Sequence, residues 1–387
     1  MNFKHYRGAV KDNPSSIVDL TCFDNEIMGL ICTDEGNYNL ALDAQSGKHL
    51  LFNDKALKQR PSFECHTVDD SGVNYDPAVL LGDAKASKGI LRATNRYVKL
   101  YLETKYNLYQ AKGSTSAVDS YIRGVMNQVG TLYRNEEINI TISTLYIWTS
   151  ADPYTNTSTS TTLLSQFQSN RTSINGDLGQ LISYDTQIGG VAAGFAGLCN
   201  SSTSNKLSIA GIDVTYNNFP VYSWTVFVIT HEFGHLFGSR HTHACVWNGN
   251  NTAIDGCAST EGDCSLPPMP SNGGTIMSYC YLQSGVGVNF NLGFGPQPGN
   301  VIRSSVANAS CLSIMTLSGP DNIPFSSSAT YTLSVSLLNP QWSVTSGLEI
   351  TTYNNNSITV RATATSYTAA AIKVNGIVLR TITIGNS

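Results

Sequence analysis

A multidomain α+β chain is the fold class this sequence predicts, with a β-rich module over residues 1–92, a mixed sheet with helices over 93–313, and an all-β sandwich over 314–387. Three observations lead there. Short apolar runs broken by turn residues fill the first part. Strand-period and helix-period segments alternate in the middle, which indicates helices packed on a sheet. From about Leu317 onward, strand-like runs recur at close spacing with Gly and Asn between them. At 387 residues the chain is long enough to give each part a core.

In the first module, Ser16–Cys22 and Glu26–Cys32 alternate around Phe23-Asp24-Asn25, the pattern of a hairpin. Gly36–Leu42 leads to another turn at Ser46-Gly47. If Cys22 and Cys32 pair across the hairpin, Cys65 is left alone. Gly72, Pro77, Gly82 and Gly89, with Lys85, Lys88 and Arg92, mark residues 72–95 as a linker. Its basic residues form either a processing site or an ordinary solvated loop.

The middle domain opens with a strand over residues 96–103. Val118, Tyr121, Ile122, Val125, Val129, Leu132 and Tyr133 recur every three or four residues and define an amphipathic helix. Glu137–Trp148 returns to strand alternation, whereas Leu163–Asn170 and Leu178–Tyr184 read as short helices. Small residues from Gly189 to Gly194 allow another backbone to come close. A helix is expected from about Val221 to Phe237, burying Val221, Trp224, Phe227 and Val228. The stretch from His243 to Gly274 is loop-rich, with Pro267, Pro268 and Pro270, and Asn300–Ala309 closes the domain as a helix.

Six of the nine cysteines (Cys199, Cys245, Cys257, Cys264, Cys280 and Cys311) fall in this domain. An even cluster of this kind reads as three disulfides and an oxidising compartment. A second metal site is the alternative, but no CxxC pair supports it.

In the last part, Tyr331–Leu338, Ile350–Tyr353, Ser357–Ala364, Ala369–Val374 and Ile377–Ile384 are the strand-like runs. Gly347, Asn354-Asn355-Asn356 and Asn375-Gly376 separate them. Short antiparallel strands around Trp342 suggest a small immunoglobulin-like sandwich. It carries no catalytic constellation and reads as a spacer, or as a module that binds a surface or another protein.

The stretch HEFGHLFGSRH, from His231 to His241, carries the chemistry. Residues four apart share a helix face, so His231 and His235 can aim imidazole nitrogens at one metal ion. Glu232 projects beside that ion, where a carboxylate can take a proton from water. Gly238 can adopt the positive φ that ends the helix and lets His241 return to the same ion. Three neutral imidazoles leave one position open, the arrangement of a catalytic zinc site. Four of the seven histidines (His231, His235, His241 and His243) fall within the thirteen residues 231–243. The competing reading is a surface helix that happens to carry histidines.

Downstream, Gly273-Gly274-Thr275-Ile276-Met277-Ser278-Tyr279 resembles the Met-turn that places a methionine beneath metal-binding histidines. With the His231–His241 pattern, it resembles the metzincin clan of zinc endopeptidases over roughly residues 96–312. Leu198-Cys199 and the clustered cysteines resemble its reprolysin-like, M12-type branch. The resemblance implies that His231, His235 and His241 hold Zn2+, that Glu232 is the general base, and that Met277 packs below. It also implies a protein or peptide substrate, bound as an added strand along the Gly189–Gly194 edge, although a glycine-rich structural loop fits the same residues equally. Tyr279 is a candidate for zinc ligation or transition-state support, as in the astacins; packing near Cys280 is its bland alternative. The same relatives suggest the pairs Cys199–Cys311, Cys245–Cys280 and Cys257–Cys264. Residues 1–92 then resemble a pro-segment, and Cys65 is the residue type that could fill the open zinc position and keep a zymogen latent. Its neighbours differ from the usual switch motif, and a buried free cysteine or one paired with Cys22 or Cys32 would fit the same residue.

Composition narrows the setting. Charged residues make up only 13% of the chain and the net charge is −4, without the basic excess of a nucleic-acid partner. No apolar run approaches the roughly 20 residues of a membrane span. The low charge and the cysteines suit an extracellular, secreted protein, although Met1–Ser16 has no signal-peptide core. Either a signal was replaced by Met1, or the protein is released without one, as a phage virion component would be. A structural or adhesive protein using the same fold as a scaffold, with zinc serving stability, is the alternative class; Glu232 is its difficulty, because a structural site needs no general base. A protease held permanently latent by its N-terminal module is a third.

Overall fold

The computed structural model describes residues 4–43, 45–57, 65–67, 74–82, 94–155, 157–212 and 222–386. Five antiparallel strands form the N-terminal sheet in sequence order: β1 (Lys4–Val10), β2 (Asn13–Cys22), β3 (Ile27–Thr33), β4 (Gly36–Asp43) and β5 (Lys48–Asn53). The expected hairpin is β2–β3. Its register pairs Cys22 with Ile27 and Cys32 with Ile17, so the two cysteines sit at opposite ends of the ladder and both are free thiols. The Cys22–Cys32 pair is therefore excluded by distance along the strands.

One face of this sheet is not closed on itself. Ile17, Met28, Leu30, Cys32 and Ala41 belong to the same apolar cluster as the central domain's core. Met28 lies against Gly124, where an added Cβ would meet its sulfur. Part of the expected linker folds instead as a short helix, α1 (Pro77–Leu81), whose Leu80 packs with Trp247 and Val301. Lys85, Lys88 and Arg92 lie outside the described residues.

The central domain runs β6 (Arg96–Thr104), α2 (Tyr106–Lys112), α3 (Thr115–Asn135), β7 (Asn139–Ile147), α4 (Ser160–Asn170), β8 (Leu178–Ser183), β9 (Gly190–Ala192), β10 (Leu207–Gly211), α5 (Tyr222–Leu236), α6 (Pro296–Asn308) and β11 (Ser313–Ile314). Its sheet has the order β11-β6-β8-β10-β9, with β7 also paired to β6. Leu178–Ser183 is thus a strand where a short helix is expected over Leu178–Tyr184. β8 is buried at every position, parallel to both β6 and β10. A strand covered on both faces shows no alternation, so a short apolar run cannot be told from a helix by period alone.

Three disulfides tie the loops: Cys199–Cys311, Cys245–Cys264 and Cys257–Cys280. The first agrees with expectation; the other two exchange the partners suggested by the resemblance. The backbone accounts for the exchange, because Cys245 N donates to Glu261 O and Ala244 bridges Glu261, which brings Cys264 beside Cys245. Asn248 and Asp255 serve turns, with Asp255 accepting from Cys257 N.

The C-terminal region is all-β. β12 (Leu317–Ser318), β14 (Ser328–Leu333), β17 (Ser357–Ala362) and β16 (Leu348–Tyr353) form one sheet. β13 (Asn322–Ile323), β19 (Ile377–Ile384), β18 (Thr368–Val374) and β15 (Trp342–Val344) form the other. A separate apolar cluster, including Tyr331, Trp342, Ile358, Ile372 and Ile382, lies between them. Asn375 and Gly376 both take positive φ, at 51° and 81°, as the tight hairpin between β18 and β19 requires. Among the described residues, no helix is long and apolar enough to cross a membrane.

Candidate metal centre and active site

Helix α5 is apolar nearly all round because it is buried against the sheet on one side and α3 on the other. Its last turns carry His231, Glu232 and His235, all inaccessible to solvent. Gly238 follows with φ 112°, and the chain turns so that His241 comes back beside the helix. His235 Nε2 lies 3.1 Å from both His231 Nε2 and His241 Nε2. Each ring's other nitrogen is engaged. His231 Nδ1 lies 2.7 Å from Ile276 O, His235 Nδ1 lies 2.8 Å from Ser239 O, and His241 Nδ1 lies 2.7 Å from Glu261 Oε1.

These contacts fix the tautomers: each Nδ1 donates, so each Nε2 presents a bare lone pair. Three lone pairs converging in a buried space repel one another unless a cation lies among them. The donor set therefore fits a bound metal ion, and all-imidazole donors suit zinc. Burial, reinforced by the neighbouring histidines, pushes His231 down to about 3 and His235 well below the ordinary value. Both rings are held neutral, as ligation demands.

The floor of the site comes from the turn after Gly273. Met277 is fully buried, and a Cβ at Gly234 would lie 2.6 Å from its sulfur, so the residue before His235 must stay small. Ile276, one residue earlier, supplies the carbonyl that orients His231. Tyr279 stands edge-on to His241, with ring centroids 4.7 Å apart, and its hydroxyl donates to Cys65 O at 2.8 Å.

The open side is covered by the N-terminal module. Cys65 Sγ is 3.4 Å from His235 Nε2 and 3.7 Å from Glu232 Oε2, and with the three histidines it forms a four-donor group. His66 N donates to Gly190 O at 3.1 Å, and Ala192 N donates to Thr67 Oγ1 at 2.8 Å. Residues 65–67 thus lie along the outer edge of β9. Gly190 is glycine for a local reason, since a Cβ there would run into the Glu232 carboxylate. Burial pushes Glu232 well above the ordinary carboxylate range, partly opposed by contacts from Cys65 and Thr67. Burial, and then the Glu232 charge, push the Cys65 thiol up.

Sequence reasoning assembled His231, Glu232, His235, His241, Met277, Tyr279 and Cys65, and all lie in this one cluster. It missed Thr67, Glu261 and Tyr75, whose hydroxyl donates to Gly238 O at 2.7 Å and accepts from Arg240 N at 3.0 Å. None stands at a spacing that marks it.

A mixed sheet backed by a helix that bears two histidines and a buried carboxylate, with a third histidine returning beside it, fits a metallohydrolase class of site. The chain belongs to metallo-peptidase family M12, whose reprolysin-like domain model matches residues 94–288. Membership carries zinc-dependent peptidase chemistry and a protein or peptide substrate.

Proposed function

We propose that this protein is a secreted zinc endopeptidase, made as a latent precursor, with His231, His235 and His241 as ligands and Glu232 as general base. The observation that carries the reading is the convergence of three bare Nε2 atoms beside a buried carboxylate. Bound zinc supplies positive charge that polarises a carbonyl, lowers the pKa of a neighbouring water and draws the proton off an approaching thiol. Glu232 Oε1 has no hydrogen-bond partner among the described residues and is the atom that takes the proton from the attacking water and passes it to the leaving nitrogen. The raised affinity of this carboxylate for a proton suits the first of these transfers. The Tyr279 hydroxyl donates to Cys65 O in the covered state and, once released from it, would support the oxyanion.

Latency follows from the cover. The Cys65 thiol takes the position an attacking water needs, and residues 65–67 use the β9 edge to which an extended substrate would add. Residues 1–92 form this inhibitory module, residues 93–313 the catalytic domain, and residues 314–387 an immunoglobulin-like module that holds the enzyme to a surface or another protein. The three disulfides support an oxidising, extracellular setting.

The test is peptide-library cleavage read by mass spectrometry. It compares the intact chain, the folded chain nicked between residues 83 and 93, Cys65→Ser and Glu232→Ala. Cutting is expected from the nicked chain and from Cys65→Ser, weakly or not at all from the intact chain, and never from Glu232→Ala. If no form cuts while zinc is bound, the fold serves as a scaffold and the proposal fails.

A further inference from the structure

The three histidines are not oriented alike. Backbone carbonyls hold His231 and His235, through Ile276 O and Ser239 O. A carboxylate holds the third: Glu261 Oε1 lies 2.7 Å from His241 Nδ1. The same oxygen lies 3.3 Å from His243 Nε2. His243 is stacked on His241 with the rings 6° from parallel and 4.9 Å apart, and it is buried.

Glu261 comes from a loop with little apolar content, so its position has to be enforced. Its own backbone is laced to the residues it serves: Glu261 N donates to His243 O and Cys245 N donates to Glu261 O. The Cys245–Cys264 disulfide closes this loop, and Cys257–Cys280 ties it to the turn below the histidines. Between Glu261 and that disulfide, Gly262 takes φ 112°, with a Cβ there lying 3.0 Å from Cys245 Cβ. The backbone and its cross-links therefore deliver one carboxylate to one ring nitrogen.

We propose that Glu261, braced by His243 and by the Cys245–Cys264 disulfide, is the positioning residue of His241 and sets how tightly the site holds zinc. The inference rests on the reading of the three histidines as zinc ligands. A carboxylate accepting the Nδ1 proton fixes the ring, makes Nε2 a stronger donor and places a negative charge one ring away from a divalent cation. His243 donates to the same oxygen and keeps the carboxylate from turning towards solvent. The disulfide pairing thus has a chemical role: it determines the basicity of a ligand and not only the stability of a loop.

The test uses the full chain, stripped of metal and titrated with Zn2+ against a chromophoric chelator. Native protein, Glu261→Gln and Glu261→Ala are compared, with His235→Ala as the ligand control. One zinc per native chain is expected. Glu261→Ala should weaken it roughly 10–100-fold, and Glu261→Gln, which keeps an acceptor but loses the charge, by less. After Co2+ substitution, both variants should shift the visible absorption bands, a change that mere loop destabilisation does not produce. Glu261→Gln guards against loss of fold, and its metal-free melting should match the native chain. Unchanged zinc affinity and unchanged cobalt spectra in Glu261→Gln and Glu261→Ala would overturn the proposal. So would two zinc ions in the native chain and one in each variant, because the His241–His243–Glu261 group would then be a metal site of its own. Full retention of zinc by His235→Ala would remove the ligand reading itself, and the brace with it.

Discussion

Helix α3 receives a β-module on each side, and the two attachments are built differently. At Gly124 it meets Met28 of the N-terminal sheet, and at Gly130 it meets Leu338 of the C-terminal sandwich. The first contact is part of a continuous core: Ile17, Met28, Leu30 and Ala41 share one cluster with α3 and α5. The second joins two separate cores, the sandwich's own lying around Tyr331, Ile358 and Ile372, with Leu338 packed against the central cluster and Tyr97 of β6 against the sandwich's. Hydrogen bonds add to this attachment, from Thr141 Oγ1 to Ser336 O, from Leu338 N to Ile140 O and from Asn375 Nδ2 to Asn139 Oδ1. A module that shares its core unfolds with its neighbour, whereas one with its own core can unfold alone. The N-terminal module also reaches the chemistry, whereas the sandwich contributes no residue to the site.

Acid should separate the two modules most strongly. His231 and His235 have folded pKa values depressed below the unfolded 6.5, so the stability they allow is present above 6.5 and is lost as pH falls, for His231 through about 3. Glu232, raised by burial, opposes this down to its ordinary 4.5, which concentrates the loss below that point. The sandwich holds no histidine. Calorimetry of the metal-free chain should show the joint N-terminal and catalytic transition falling by several degrees between pH 4.5 and 3 while the sandwich transition stays.

Core truncation should sharpen the same division. Met28→Ala is expected to cost about 2–5 kcal/mol and to lower the joint transition, because the buried sulfur packs both the sheet and α3. Ile372→Ala should cost a similar amount, but only in the sandwich transition. A single transition responding to both substitutions would mean that the modules are one cooperative unit.

The two helix glycines give a smaller, more local test. Gly130→Ala places a Cβ 2.9 Å from Leu338 Cβ, which cannot rotate away, so the sandwich must shift at a cost of about 1–3 kcal/mol. Gly124→Ala meets the thioether of Met28, a flexible group that can swing aside, and should cost less. Protease sensitivity near residues 313–317 should rise in Gly130→Ala and remain native in Gly124→Ala.

Asn39→Ala should have the smallest effect. Asn39 Oδ1 accepts from Ser223 N at 2.7 Å, so a residue of the N-terminal sheet caps the first turn of α5. Its loss should cost about 1–2 kcal/mol and speed amide exchange at Ser223.

Much of this was legible in the residues. The His231–His241 spacing encodes the site because helix geometry makes sequence distance into spatial distance. The hairpin at residues 16–32, the amphipathic α3 and the Asn375-Gly376 turn were legible because local sterics and alternation act over a few residues. β8 was not, because burial on both faces erases its period. Nor were the pairs Cys245–Cys264 and Cys257–Cys280, because cysteine counts do not carry connectivity and the backbone ladder at Glu261 decides it.

The sequence by itself carried the side chains of the candidate site: two imidazoles and a carboxylate at helix spacing, a third imidazole just beyond, and a methionine downstream. Tertiary structure decided what surrounds that chemistry. It brought Cys65 from far upstream to within 3.4 Å of His235, laid residues 65–67 along β9, and set Glu261 behind His241. Such contacts depend on how sheets pack and loops close across long stretches of chain, and no local periodicity records them.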